Sequence, residues 1–219
     1  KTAGTNADSN GKGLFKYQPP TDFLALCEDN LSTPAIVDPG EHFKTVLYTG
    51  TGSSRAVTGV GFKPDFVWIK NRESTYHHQV YDSVRGAGQK LLPSNTVAES
   101  TDTANVSSFD SNGFSFAGGN VGLNEDTKNH VAWCWKAGGT AVANTDGSIA
   151  SQVSVNQTAG FSIVSYTGNE TGGATVGHGL GKKPAFMIFK SRATALSWGT
   201  YHKSLGATER VLLNSSAAA

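Results

Sequence analysis

Six histidines, two cysteines and seventeen acidic side chains are the groups in this 219-residue chain that could do chemistry. His77 and His78 are adjacent, so in a strand they point to opposite faces and cannot hold one metal together. His42, His130, His178 and His202 show no zinc-like spacing to a cysteine or to one another. The carboxylates Asp65, Asp82, Glu99 and Asp102 fall near predicted strand ends, where a glycosidase pair could assemble without leaving a sequence signature. Asp110-Ser111-Asn112-Gly113 resembles a fragment of a calcium loop, but it lacks the further ligands and the terminal Glu, and a hairpin turn is the better reading. Neither a Gly-x-Ser-x-Gly nor a Walker-type phosphate loop occurs. Gly177-His178-Gly179-Leu180-Gly181-Lys182-Lys183 has the glycines and bases of such a loop, but no helix-forming segment comes after it to receive a phosphate. The expectation is a protein that is not an enzyme, with no catalytic residues, no cofactor and no metal.

Binding is a second kind of chemistry, and here the candidates are Lys70, Arg72, Trp133, Trp135, Lys190, Arg192 and Trp198. Each Lys-x-Arg pair lies on one side of a strand end by the two-residue period. The arginine could bond loop carbonyls or a carboxylate while the lysine blunts an edge. Alternatively, the pair could touch an acidic or hydroxylated polymer. The tryptophans, with Trp68, Tyr81 and Tyr201, could form a sugar-stacking platform or could simply fill a core. Burial of Trp133, Trp135 and Trp198 would remove the platform.

The elements that must position these residues come in two copies, and repeats govern the rest of the reading. Pro64 and Pro184 stand 120 positions apart (184 − 64), and the same offset relates Phe66 to Phe186, Lys70 to Lys190, Arg72 to Arg192, Tyr81 to Tyr201 and Leu92 to Leu212. Upstream, Phe43-Lys44-Thr45-Val46-Leu47-Tyr48-Thr49-Gly50 returns as Phe161-Ser162-Ile163-Val164-Ser165-Tyr166-Thr167-Gly168, at an offset of 118 (161 − 43). Asp65 aligns with Ala185 and Asp82 with His202, so these carboxylates are not properties of the repeat.

Local patterns divide the chain into a connector with the end of a preceding domain (1–40), one β-sandwich repeat (41–157) and the first half of a second (158–219). Thr21 or Asp22 could cap one helical turn over 21–26, and Phe15-Lys16-Tyr17 could be a closing strand. Phe66 to Lys70 is apolar on both faces and reads as a central strand. Asn112-Gly113 predicts a hairpin with a primed turn. His130 to Lys136 places both Trp133 and Trp135 on one face and Cys134 on the other. The fold class is all-β, with tandem jelly-roll-like sandwiches of which the second is incomplete. The polar opening from Thr2 and the close at Ser215-Ser216-Ala217-Ala218-Ala219 predict an excerpt from a longer polypeptide.

Composition limits the partners. The chain has 26 glycines, 16% charged residues and a net charge of +1, so no field steers it onto nucleic acid. No apolar run approaches the roughly 18 residues a membrane helix needs, so membrane insertion is not expected. Lys1-Thr2-Ala3 does not lead into the apolar core of a signal peptide. Cys27 and Cys134 do not make a disulfide framework, and Cys134 reads as a small apolar filler.

Several motifs together resemble a repeat domain of large structural proteins of tailed bacteriophages. They are Gly61-Phe62-Lys63-Pro64-Asp65-Phe66-Val67-Trp68-Ile69-Lys70-Asn71-Arg72, Phe109-Asp110-Ser111-Asn112-Gly113-Phe114 and Ala132-Trp133-Cys134-Trp135-Lys136, with the two Tyr-Thr-Gly turns. The opening, with Gly13-Leu14-Phe15-Lys16-Tyr17-Gln18-Pro19-Pro20, resembles the segment C-terminal to a SPRY-like, concanavalin-type domain in those proteins. The resemblance implies a virion protein made in the host cytoplasm, in a tail fibre or other appendage, with other virion proteins as partners. By class analogy it implies a homo-oligomer, a trimer for fibres, with host-surface glycan as a possible target. A carbohydrate-binding module, a capsid-decorating protein and a glycan-degrading tailspike are the alternatives.

Overall fold

A computed structural model describes residues 4–102 and 104–216. The readings placed on Lys1-Thr2-Ala3 and on Ala217-Ala218-Ala219 lie outside those residues. The chain forms two compact units, Lys1–Val37 and Asp38–Ala219. The second unit holds both copies of the repeat.

The first unit is a loop knot tied around Asp8. Its carboxylate accepts hydrogen bonds from the amides of Asn10, Lys12 and Ala25 and from Asn30 Nδ2. Partial burial works against the charge, but these donors outweigh it and hold the carboxyl down at about 2. The expected strand at Phe15 is a single bridge to Asn6. The expected helical turn over 21–26 does not form, because Asp22 adopts a positive φ of 70° and ends any helical progression there. A 3-10 turn at Glu28–Asn30 stands in its place.

In the second unit, Phe43–Thr49 (β1), Arg55–Thr58 (β2), Phe66–Asn71 (β3), Gln79–Asp82 (β4), Gln89–Lys90 (β5), Ser100–Thr101 (β6), Val106–Asp110 (β7), Gly113–Phe116 (β8) and Asn129–Trp135 (β9) build the first repeat. A four-stranded sheet runs β1-β9-β3-β4, and a three-stranded sheet runs β2-β8-β7. The core is shared between them. Tyr48, Val67, Ile69, Tyr81, Ala132 and Cys134 come from the first sheet, and Val57, Val106, Phe114 and Phe116 from the second. Leu123 joins them from a one-turn helix, Val121–Asn124 (α1), capped by Asn120. This is a β-sandwich of antiparallel strands, as expected. β3 is interior to its sheet, which accounts for its apolar residues on both faces.

Period-two alternation sends Phe66, Trp68, Trp133 and Trp135 to the other side of the four-stranded sheet. Phe43, Trp135 and Phe66 lie in one cross-strand row, and Thr45, Trp133 and Trp68 in the next. The hairpin between β7 and β8 forms, but its turn is not the expected primed type, since Asn112 keeps a negative φ. Gly113 is required for another reason. A Cβ there would overlap the Val57 carbonyl of the neighbouring strand.

The second repeat is preceded by a hairpin of Val142–Asn144 (β10) and Ser151–Asn156 (β11). Its own strands are Phe161–Tyr166 (β12), Phe186–Phe189 (β13), Gly199–His202 (β14) and Val211–Leu212 (β15). They fall into two small sheets, β10-β11-β12 and β13-β14-β15. By sequence offset β12 corresponds to β1, β13 to β3 and β14 to β4.

Candidate functional site

The side chains expected to bind a ligand gather at the junction between the repeats. Val80, on the outer face of β4, forms a small core with Leu91 and Trp198, flanked by Phe66 and Trp68. Trp198 is 6% exposed, and its Nε1 donates to the carbonyls of Leu92 (2.9 Å) and Asn95 (3.1 Å). Phe161 of the second repeat stacks on Trp135 with centroids 6.1 Å apart and meets Phe66 edge-on. Phe43 and Phe66 contact the same indole from their own strands. A sugar platform needs open, coplanar rings. Trp198 is buried and Trp135 is covered by phenylalanines, leaving only Trp133, half-buried beside Trp68. Trp135 and Trp198 are therefore corrected from ligand surface to packing. Their apolar area is used by the neighbouring repeat.

The two Lys-x-Arg pairs part company. Both ammonium groups are tied down locally: Lys70 donates to the carbonyls of Asn71 and Ser74, and Lys190 to those of Ser191 and Thr194. Partial burial lowers the pKa of each. Lys190 adds a bond to the Thr96 carbonyl of the first repeat at 3.1 Å. Arg192 grips Glu99 through Nε at 3.0 Å and Nη2 at 2.7 Å, and the Glu99 amide donates to the Arg192 carbonyl. Lys190 and Arg192 thus act as a latch between repeats. Arg72 is exposed, and its side chain has no partner among the described residues.

Glu99 continues into a buried network. Its second oxygen accepts from Arg85 Nη1 at 2.9 Å, and Arg85 Nε pairs with Asp82 at 2.5 Å. Burial alone would raise the Glu99 pKa, but hydrogen bonds from Arg192 and Arg85 bring it below the usual range. Asp65 is equally committed, accepting from Ser83 Oγ and from the amides of Ala137 and Gly139. These carboxylates satisfy donors of the scaffold rather than facing one another across a groove.

The histidines are spread out. His130 is fully buried and stacked on Tyr48, and desolvation lowers its pKa. His78 Nδ1 accepts from Trp68 Nε1 at 2.8 Å. His178 receives the Leu180 amide, as expected of a loop residue bonding nearby backbone. Among the described residues, no group of three His, Cys, Asp or Glu could hold a metal ion. Cys134 sits in the core, where burial pushes its thiol up to about 12. No described helix is long and apolar enough to cross a membrane.

Sequence reasoning missed Arg85 and Phe161 and did not give Glu99 its role. Glu99 carries no signal, because its partner lies 93 residues away. Phe161 had one, as the repeat counterpart of Phe43, an aromatic on a strand facing the Trp row.

A protein family described as a domain of unknown function, DUF7483, matches residues 38–219. No curated protein and no solved structure gives a significant match.

Proposed function

The chain belongs to the DUF7483 family, whose description assigns no function, and we propose that it serves as part of a bacteriophage virion, in a tail fibre or other exterior appendage concerned with assembly and host-surface attachment. The observation that carries this reading is the repeat junction. Phe161 on Trp135, Trp198 on Val80 and Leu91, and Arg192 on Glu99 lock the first sandwich to the second repeat at three separated points. Three points fix a relative orientation, which an extended appendage needs and which a flexible linker does not give. The phage-like motifs of the sequence support the same reading.

In this role the chain works with other virion proteins and as a homo-oligomer. Copies presented side by side multiply weak contacts to a host-surface glycan. Such contacts fall to the loops around the sandwiches, since the aromatic face is spent on the junction. An antibody raised against residues 38–219 tests the proposal by immunogold labelling of purified particles. Gold on fibres or other appendages is the expected outcome. Gold on the capsid shell would transfer the role to decoration, and absence of the protein from washed virions would end the proposal.

A further inference from the structure

In the first repeat, β9 lies between β1 and β3 and pairs antiparallel with both. In the second repeat, β12 and β13 are the counterparts of β1 and β3, and each ends its own small sheet. Among the described residues no strand pairs with the outer edge of either. The space between them is marked by one side chain. Arg192, just past β13, reaches across to Ser165 Oγ of β12 at 3.2 Å. The corresponding positions in the first repeat, Arg72 and Leu47, have β9 between them: Leu47 pairs with Val131, and the Arg72 amide donates to Asn129.

The backbone of both edges is set up for a ladder. Lys203 donates to the Ala185 carbonyl on the β14 side, so by alternation Phe186 and Ile188 turn their amide and carbonyl groups to the free side. In β1, the bonds of His42 and Gly50 to Lys136 and Lys128 show that even-numbered residues face β9. The matching residues in β12 are Ser162 and Val164. Apolar side chains line the same place, with Phe186 at 55% and Ile188 at 37% exposed. An unpaired apolar edge of this kind is a template for another strand.

We propose that the gap between β12 and β13 is a strand-acceptor site, and that its occupant is an extended segment with the alternation of β9. Small apolar residues, like Ala132 and Cys134, point to the inner face. Aromatic residues, like Trp133 and Trp135, point to the outer. The segment enters antiparallel to both edges. The first repeat points to this occupant, because the two corresponding edges there are filled by a strand of that pattern. This inference stands apart from the virion role and survives or fails without it.

The test uses the 219-residue chain and a synthetic peptide of residues 129–136, followed by hydrogen exchange and by fluorescence titration of a dye on the peptide. Saturable one-to-one binding is expected, with slowed exchange at the amides of Ser162, Val164, Phe186 and Ile188. In β9 the odd-numbered amides face β3, so N-methylation at Val131 and Trp133 removes two ladder bonds and weakens binding roughly tenfold. A peptide of the same composition with Ala132 exchanged for Trp133 and Cys134 for Trp135 turns the aromatics inward and does not bind. Equal binding of that peptide, protection elsewhere in the chain, or no binding would each overturn the proposal. So would a stable dimer of the peptide-free chain that protects the same four amides, since a second copy would then be the occupant.

Discussion

Tyr48 and Tyr166 hold the same place in the two repeats, yet Tyr48 is 9% exposed and Tyr166 is 47%. Ile69 is fully buried, while its counterpart Phe189 is 46% exposed. The strands that carry these residues form in both copies, from closely similar local sequence. What differs is what lies against them. In the first repeat, β9 fills the sheet and β2-β8-β7 closes over its inner face. No described strand does either for β12 and β13. Strand formation is thus local to the motif, whereas burial depends on β7, β8 and β9, which come later in the chain.

That contrast can be broken at several points, and the largest effect belongs to the core. Ile69→Ala should cost about 3 kcal/mol in urea unfolding, whereas Phe189→Ala should cost less than about 1 kcal/mol because its ring already meets solvent. Equal costs would mean that the second repeat is as closed as the first. At the junction, Trp198→Phe leaves the carbonyls of Leu92 and Asn95 without their donor and should cost about 2 kcal/mol. The readout is the midpoint of the same unfolding curve.

Smaller effects separate the two arginines. Arg192→Ala removes one of two partners from Glu99 and should cost about 1 kcal/mol, while Arg72→Ala should stay within about 0.5 kcal/mol. A comparable loss from both would show that Arg72 also has a partner in solution. The least change comes from pH. His130 is buried as the neutral imidazole with its pKa lowered, so the unfolded chain binds its proton more readily than the folded one. Stability from this group is therefore intact above about 6.5, the ordinary value, and falls as pH drops below it. Amide exchange in β9 should speed up between pH 7.5 and 5.5 in the native chain and much less in His130→Gln.

The all-β class, the central place of β3 and the split faces of Trp133 and Cys134 were legible in the sequence, because each rests on a period of two or on turn residues. The site was legible only as a set of residues. Lys190 and Arg192 were singled out with the right chemistry, but Glu99 obeys no spacing rule, and only the folded chain brings it to them. For Trp198 the choice between sugar platform and core stayed open, because composition shows an aromatic without showing what covers it. Gly113 was noticed for the turn, while its necessity comes from a carbonyl on a strand more than fifty residues earlier. Asp22 went the other way, since a favourable cap was overridden by the packing of a short loop around Asp8.

Glu99 belongs to two structures at once. Through Arg85 and Asp82 it is tied into β4, and through Arg192 it holds the end of β13. Tension applied along the chain at the second repeat is therefore not borne by the connecting segment alone. Part of it passes sideways through a guanidinium, a carboxylate and a second guanidinium into β4, at the end of the first sandwich's four-stranded sheet. The two repeats share that strain, and under force they should yield together in one event rather than peel apart in sequence.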